Sequence, residues 1–154
     1  FQDLECGLRC ALIRRMTRSR YTHVGIVLEE DGERVVWEAY APVGYVPLAD
    51  WVARGRQGLL AVYRPSGGWD QDRVAEEVRR QAGRPYDADY QWDEERIYCS
   101  ELIAKAYERA AGEAVFPPHT VDLGQEAPRI ARLTGGRLTP QPQMVTPYAP
   151  SPLH

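Results

Sequence analysis

The chain has 154 residues, 44% of them hydrophobic and 27% charged, which suits one folded domain and excludes disorder as the default. Its net charge of −3 removes any electrostatic case for nucleic acid as a partner. No apolar run approaches the roughly 20 residues a membrane helix needs, so proximity to a membrane is compatible with the sequence but a transmembrane segment is not expected.

The sequence begins at Phe1 rather than methionine. An upstream segment is therefore expected, in which a signal peptide or lipid anchor would lie outside this chain. Cys6 and Cys10 follow at once. A disulfide between them and a reduced, buried pair are both open, because four-residue spacing on a regular helix is awkward for a bridge. A zinc site there lacks a second ligand pair of suitable spacing, so no metal is expected. If the two pair, Cys99 is left as the free thiol, the pattern of a candidate nucleophile.

Residues 8–16 carry Leu8, Leu12, Ile13 and Met16 at helical spacing,. Residues 22–28 and 35–40 read as strands joined across Asp31-Gly32, the strongest hairpin signal in the chain,. A short helix over 48–53, capped near Asp50, precedes a third strand over 59–63, which Pro65 and Gly67-Gly68 stop,. Residues 69–81 are helical, acidic early and basic late, with Gly83 just beyond,. Residues 83–96 are polar and aromatic without a period, an ordered loop. A helix then runs from Cys99 to Ala111, with Leu102, Ile103, Ala106, Tyr107 and Ala110 on one face and Gly112 as its stop,. From Phe116 the chain is rich in proline, with one strand near 137–139. The boundaries expected are a domain over 1–140 and a proline-rich C-terminal arm over 141–154. Strands and helices that do not strictly alternate predict an α+β domain around an antiparallel sheet.

Three residues carry the chemistry. Cys99 opens a helix, where unpaired N–H groups and the partial positive charge stabilise a thiolate. His23 interrupts an otherwise apolar strand. A two-residue turn at Asp31-Gly32 pairs Glu30 with Glu33, and the same ladder sets Gly25 opposite Glu38 and His23 opposite Tyr40. His23 and Glu38 then become diagonal neighbours on one face, roughly 7 Å apart between backbones. A one-residue slip would separate them onto opposite faces. Nucleophile, base and orienting carboxylate are the parts that thiol acyl transfer requires.

The segments Thr22-His23-Val24-Gly25-Ile26-Val27, Gly83-Arg84-Pro85-Tyr86-Asp87 and Tyr98-Cys99-Ser100-Glu101-Leu102, in that order, resemble the circularly permuted NlpC/p60 papain-like proteins of the YiiX/YebB type. Lecithin:retinol acyltransferase-like enzymes are more distant relatives with the same permutation. Histidine before cysteine is the permuted order, and residues 1–7 resemble the family's first strand. The resemblance implies a permuted papain-like fold, an antiparallel sheet or small barrel packed against the cysteine helix. It also implies Cys99 as nucleophile, His23 as base and Glu38 as third member, with no cofactor.

Tyr86, Tyr98, Tyr40, Asp87 and Trp92 are the candidate substrate-binding residues; as packed aromatics, the tyrosines and Trp92 would instead be core. Asp87, Asp89 or Asp93 at the mouth would favour a cationic or amine-bearing substrate. The expected activity is amide hydrolysis, on a peptide, a cell-wall stem peptide or an acylated amine. Acyl transfer or esterase work on lipid, and a ligand-binding module without turnover, are the alternatives. A bacterial periplasm, cell envelope or secreted location is favoured over the cytoplasm, and a Cys6–Cys10 disulfide would point the same way.

Overall fold

A computed structural model of the chain describes residues 1–121, Pro128, Arg132 and residues 143–144. The regular elements are α1 (Leu8–Thr17), β1 (Ile26–Glu30), β2 (Glu33–Ala39), β3 (Val43–Pro47), α2 (Leu48–Arg54), α3 (Gln71–Arg79), α4 (Cys99–Ala111) and a small pair, β4 (His119–Thr120) with β5 (Gln143–Met144). Sequence expectations for residues 137–139 and 145–154, and the boundary at residue 140, lie outside the described residues.

The sheet is antiparallel in the order β1-β2-β3. Asp31 and Gly32 both have positive φ, 52° and 81°, as a two-residue hairpin turn of the primed type requires. They fix the register Glu30↔Glu33 through Ile26↔Trp37. Extending that ladder by one residue brings Gly25 opposite Glu38, where the backbones come close. A Cβ at Gly25 would lie 2.4 Å from Val36 Cγ1 and 2.9 Å from the Trp37 carbonyl oxygen.

Two expectations need correction at the sheet's margins. Residues 22–25 are not regular ladder: His23 makes an isolated bridge to Gln2, and pairing with β2 becomes regular only at Ile26. The third strand expected over 59–63 is likewise a single bridge, Leu60 to Gln2, with the Ala61 N–H donating to the Phe1 carbonyl at 2.9 Å. Among the described residues its backbone pairs with the short segment around Gln2, which offers too few partners for a ladder. The third strand of the sheet is β3 instead, over residues for which the sequence predicts no element.

α3 and α4 pack on one face of the sheet. Val35, Trp37, Ala39 and Val43 meet Val74 and Val78 of α3 and Leu102, Ala106 and Tyr107 of α4, each large side chain contributing about 1.5–3 kcal/mol by burial. Asp70 caps α3 by accepting the Arg73 N–H at 3.1 Å,. Gly112, at φ 78°, ends α4,. A second cluster joins Ile13 of α1 to Tyr90, Tyr98 and Val121, so α1 covers the loop that leads to α4.

That loop is ordered by one buried carboxylate. Asp87 Oδ1 accepts the N–H of Asp89 at 2.9 Å and Oδ2 that of Gln91, while Arg96 Nη2 lies 3.4 Å from Oδ1. A parallel bridge, Tyr86 to Ile97, closes the loop against the start of α4. Cys6 and Cys10 form a disulfide with a Cα separation of 5.1 Å. Cys6 lies before α1, and Gly7, at φ 60°, turns the chain between it and the helix. The spacing therefore does not fall on one regular helix. Among the described residues, no helix is long and apolar enough to cross a membrane.

Candidate active site

Cys99 is the first residue of α4 and is only partly exposed. The loop held by Asp87 delivers the chain extended to Tyr98, which stands before the helix at φ −103°, ψ 170°. The Tyr98 N–H is taken by Glu101 Oε2 at 3.3 Å, one turn inside. The first N–H groups of α4 have no carbonyl of their own helix to bond and collect at Cys99.

His23 comes to the thiol from the strand side. Its backbone is pinned through Gln2, whose N–H donates to the His23 carbonyl at 2.9 Å, and its ring is buried between Tyr40 and Trp51 at centroid distances of 5.6 and 6.4 Å. Nε2 lies 2.5 Å from Glu38 Oε2. The hydrogen bond between His23 and Cys99 therefore falls to Nδ1. The hairpin register read from the sequence thus brings His23 and Glu38 into contact, and the start of α4 adds Cys99.

The electrostatics of the three are mutual. Burial alone would lower the His23 pKa, but hydrogen bonds to Cys99 and Glu38 and their negative charges outweigh it and raise the pKa to about 9,. Burial alone would raise the Cys99 thiol; the His23 hydrogen bond and charge, followed by the Val24 and Ser100 N–H groups, outweigh it and hold the thiol below its ordinary range,. Burial would also raise Glu38, yet His23 and Arg54 keep it below the usual carboxylate range. Thiolate and imidazolium are the favoured pair of states.

Sequence reasoning missed two partners of Glu38. Trp51 Nε1 donates to Oε2 at 3.0 Å and Arg54 Nη2 to the same oxygen at 2.5 Å. Both stand on one side of α2, three residues apart. The Arg54 guanidinium also lies 4.5 Å over the Tyr40 ring. A tryptophan and an arginine at three-residue spacing on a short helix were the available signal, but nothing local says that the helix faces Glu38.

The substrate-binding candidates separate by burial. Tyr40 is 46% exposed beside His23. Tyr86 is close enough to Cys99 and Tyr90 for burial and their charges to raise its phenol well above the ordinary range. Tyr98 is fully buried against Tyr90 and Trp92, its phenol also raised, first by burial and then by the charges of Glu101 and Cys99. Trp92 packs on Tyr98 and under Lys105 Nζ at 5.2 Å. Asp87 is fully buried and faces the loop N–H groups rather than a mouth. Tyr90 is buried near Cys99 at φ 54°. Burial, chiefly, raises its phenol to about 12.

A family model described as a permuted papain-like amidase enzyme, YaeF/YiiX, C92 family, matches residues 6–123. The uncharacterized protein YiiX of Escherichia coli (strain K12) is 37% identical over 106 residues, 67% of this chain and 52% of that protein. The chain therefore spans about half the length of that curated relative. A crystal structure titled metalloprotein yiiX, from Escherichia coli O157:H7, superposes with a TM-score of 0.85 at 30% identity, covering 98% of this chain and 89% of that one. The expected α+β, permuted papain-like architecture is the observed one, and the chain belongs to the YaeF/YiiX family of permuted papain-like amidases.

Proposed function

We propose that the chain is a thiol amidase in which Cys99 is the nucleophile, His23 the general base and acid, and Glu38 the group that orients and charge-balances His23. One observation carries this reading. A cysteine at a helix start is hydrogen-bonded to an imidazole whose far nitrogen lies 2.5 Å from a buried carboxylate. Nucleophile, base and orienter in this order are the requirements of acyl transfer.

His23 Nδ1 takes the Cys99 proton, and the thiolate adds to the amide carbonyl carbon. The new oxyanion rests on the free N–H groups at the start of α4, a fixed donor set that needs no reorganisation. His23 returns the proton to the amine nitrogen, the C–N bond breaks, and the acyl group stays on Cys99 as a thioester. Water, deprotonated by His23, adds to the thioester; the C–S bond breaks and the acid leaves. Glu38 stays ionised throughout and holds the imidazolium.

The substrate proposed is an amide-bearing peptide, a cell-wall stem peptide or an acylated amine. The family's description as amidases supports amides over lipid esters. The Cys6–Cys10 disulfide supports an oxidising compartment, the periplasm, envelope or exterior.

The related crystal structure is titled a metalloprotein, which calls for a fit test on these residues. Among the described residues, no group of three or more His, Cys, Asp or Glu side chains is arranged to hold a metal ion. Cys99 and His23 would be two donors at most, since Glu38 is occupied at the far nitrogen of His23 and by α2. The described residues do not fit a metal.

Intact mass spectrometry of the protein and of Cys99→Ala, incubated with matched amide and ester substrates, tests the reading. The expected result is an acyl adduct on Cys99 alone and amine release from the amides. Adducts and turnover with esters only would replace the amidase by an esterase or acyltransferase. No adduct with either class, and a Cys99 that reacts like a free thiol, would leave a binding module.

A further inference from the structure

α2 reaches Glu38 with more than packing. Oε2 of this one carboxylate accepts from His23 Nε2 at 2.5 Å, Trp51 Nε1 at 3.0 Å and Arg54 Nη2 at 2.5 Å. The carboxylate itself is 3% exposed. Two donors from α2 and one from the segment leading into β1 leave this oxygen little freedom to move. Arg54 is in turn held from its outer side by the face of Tyr40, 4.5 Å away. A guanidinium stacked on a phenol and pointed at a carboxylate is a rigid arrangement, since its planar fork loses little freedom when it binds.

We infer that Arg54, aided by Trp51, is a positioning residue that keeps Glu38 ionised and aimed at His23, and so supports the Cys99–His23 ion pair. The inference rests on the catalytic reading above but adds a residue set to it, the α2 clamp. The charge balance explains why the clamp carries a cation. With Cys99 and Glu38 ionised and His23 protonated, the line of three groups has one net negative charge, and Arg54 neutralises it. Glu38 is faced by His23 from the approach to β1 and by Arg54 and the Trp51 indole from α2. Through these it is faced by Cys99 on α4 and the Tyr40 phenol after β2. Of these, Arg54 alone brings a guanidinium to the carboxylate.

The sign follows. A cation and a charge-assisted donor beside a carboxylate lower its pKa. Without Arg54, Glu38 takes up a proton at a higher pH, the imidazolium loses its counter-charge there, and the thiolate is lost with it. Arg54→Lys keeps the charge without the fork and falls between.

Two readouts decide this. Carbon-13 NMR of the Glu38 carboxyl, followed against pH in a Cys99→Ser background, should show the titration moving up by about one pH unit in Arg54→Gln, less in Arg54→Lys and Trp51→Phe. The rate of Cys99 alkylation by iodoacetamide, in the protein with its native cysteine, should show its acid limb moving up in parallel, about a tenfold loss on that limb. The amide spectrum of each variant checks that it is folded. A Glu38 titration unchanged in folded Arg54→Gln, or an acid limb that stays where it was while the carboxyl moves, overturns the inference. A parent Cys99 that alkylates no faster than a model thiol overturns the catalytic reading instead, and the carboxyl titration still decides whether Arg54 governs Glu38.

Discussion

Two charge clusters sit on α4, and they use similar parts to different ends. At the helix start, Cys99, His23, Glu38 and Arg54 form a line from a partly exposed sulfur to a buried carboxylate. Farther along, Lys105 lies 2.8 Å from both Glu101 and Glu94, and Arg84 and Arg109 reach Glu94 from outside. Each cluster has a fully or nearly fully buried carboxylate. The difference is the cation next to it. Lys105 pairs with two carboxylates at once, whereas His23, raised to about 9, is hydrogen-bonded to a thiol held below its ordinary range. A buried ion pair becomes chemistry only when both partners titrate near each other.

The largest way to break the comparison is to remove the exchangeable cation. His23→Ala should cost about 10²–10⁴ in turnover. Alkylation of Cys99 at pH 7 should fall less, by roughly 30-fold, because a thiol of pKa about 8.5 is still about 3% ionised. Lys105→Met should leave both rates within about twofold. In the parent protein, alkylation should begin below the usual thiol range and hold through neutrality. The proton on His23 is lost near pH 9, and turnover should fall there while alkylation persists. Stopped-flow alkylation and a pH–rate profile check both halves; equal effects from the two substitutions would dissolve the distinction.

Lys105→Met should instead cost stability. Burial raises the Glu101 carboxyl to about 7 against the opposing pull of Lys105 and the Tyr98 N–H. Because the folded pKa is the higher one, the folded state retains a proton that the unfolded chain releases, and stability falls as pH rises from about 4.3 to 7. Removing Lys105 pushes the carboxyl further up and prolongs that fall. The deficit should be small at pH 5, where Glu101 is neutral, and widen by up to about 1.4 kcal/mol at pH 8, the ionisation that a folded pKa of about 7 allows there,. Urea melts at the two pH values measure it, and a deficit independent of pH would refute the account.

Gly25→Ala is comparable in size. Its Cβ would meet Val36 Cγ1 at 2.4 Å and the Trp37 carbonyl at 2.9 Å, an overpacking worth about 1–3 kcal/mol. The same push separates the strands that bring His23 to Glu38, so Cys99 alkylation should slow as well, by a few-fold. A stable variant with unchanged reactivity would show that the close approach at Gly25 does not set the distance.

What the sequence disclosed was whatever short-range pattern could carry. The α4 face and the Asp31-Gly32 turn are local, and the register that joins His23 to Glu38 follows from that turn by counting. Trp51 and Arg54 were not legible because their meeting with Glu38 depends on where β3 places α2, and β3 itself is written in glycine and proline. Residues 59–63 misled for the opposite reason. Leu59, Leu60, Val62 and Tyr63 are apolar enough for a strand but remain exposed, because their neighbour at Gln2 is too short to pair with. Asp87 looked like a surface acid and is a loop's internal acceptor, a role decided by the N–H groups of Asp89 and Gln91 folding back on it.

The smallest effect sharpens the comparison from its outer edge. Burial would raise the Glu94 carboxyl, but hydrogen bonds to Lys105 and Arg84 and the charges of Lys105 and Arg109 outweigh it and bring the pKa to about 2. Taken alone, that shift suggests a strong contribution to folding. The side chain is 63% exposed, however, and water and salt screen an exposed carboxylate from cations that are themselves hydrated. The sign is that of a depressed acid: its contribution is present above about pH 4.3 and is lost as pH falls toward 2. Glu94→Gln should therefore cost no more than about 1 kcal/mol at pH 7 and 50 mM salt, and less at 1 M salt. Its stability should converge with the parent's near pH 2 while Cys99 reactivity stays unchanged. A larger, salt-insensitive loss would mean that Glu94 shares the buried pair's role, and that the second cluster reaches to the surface as a single unit.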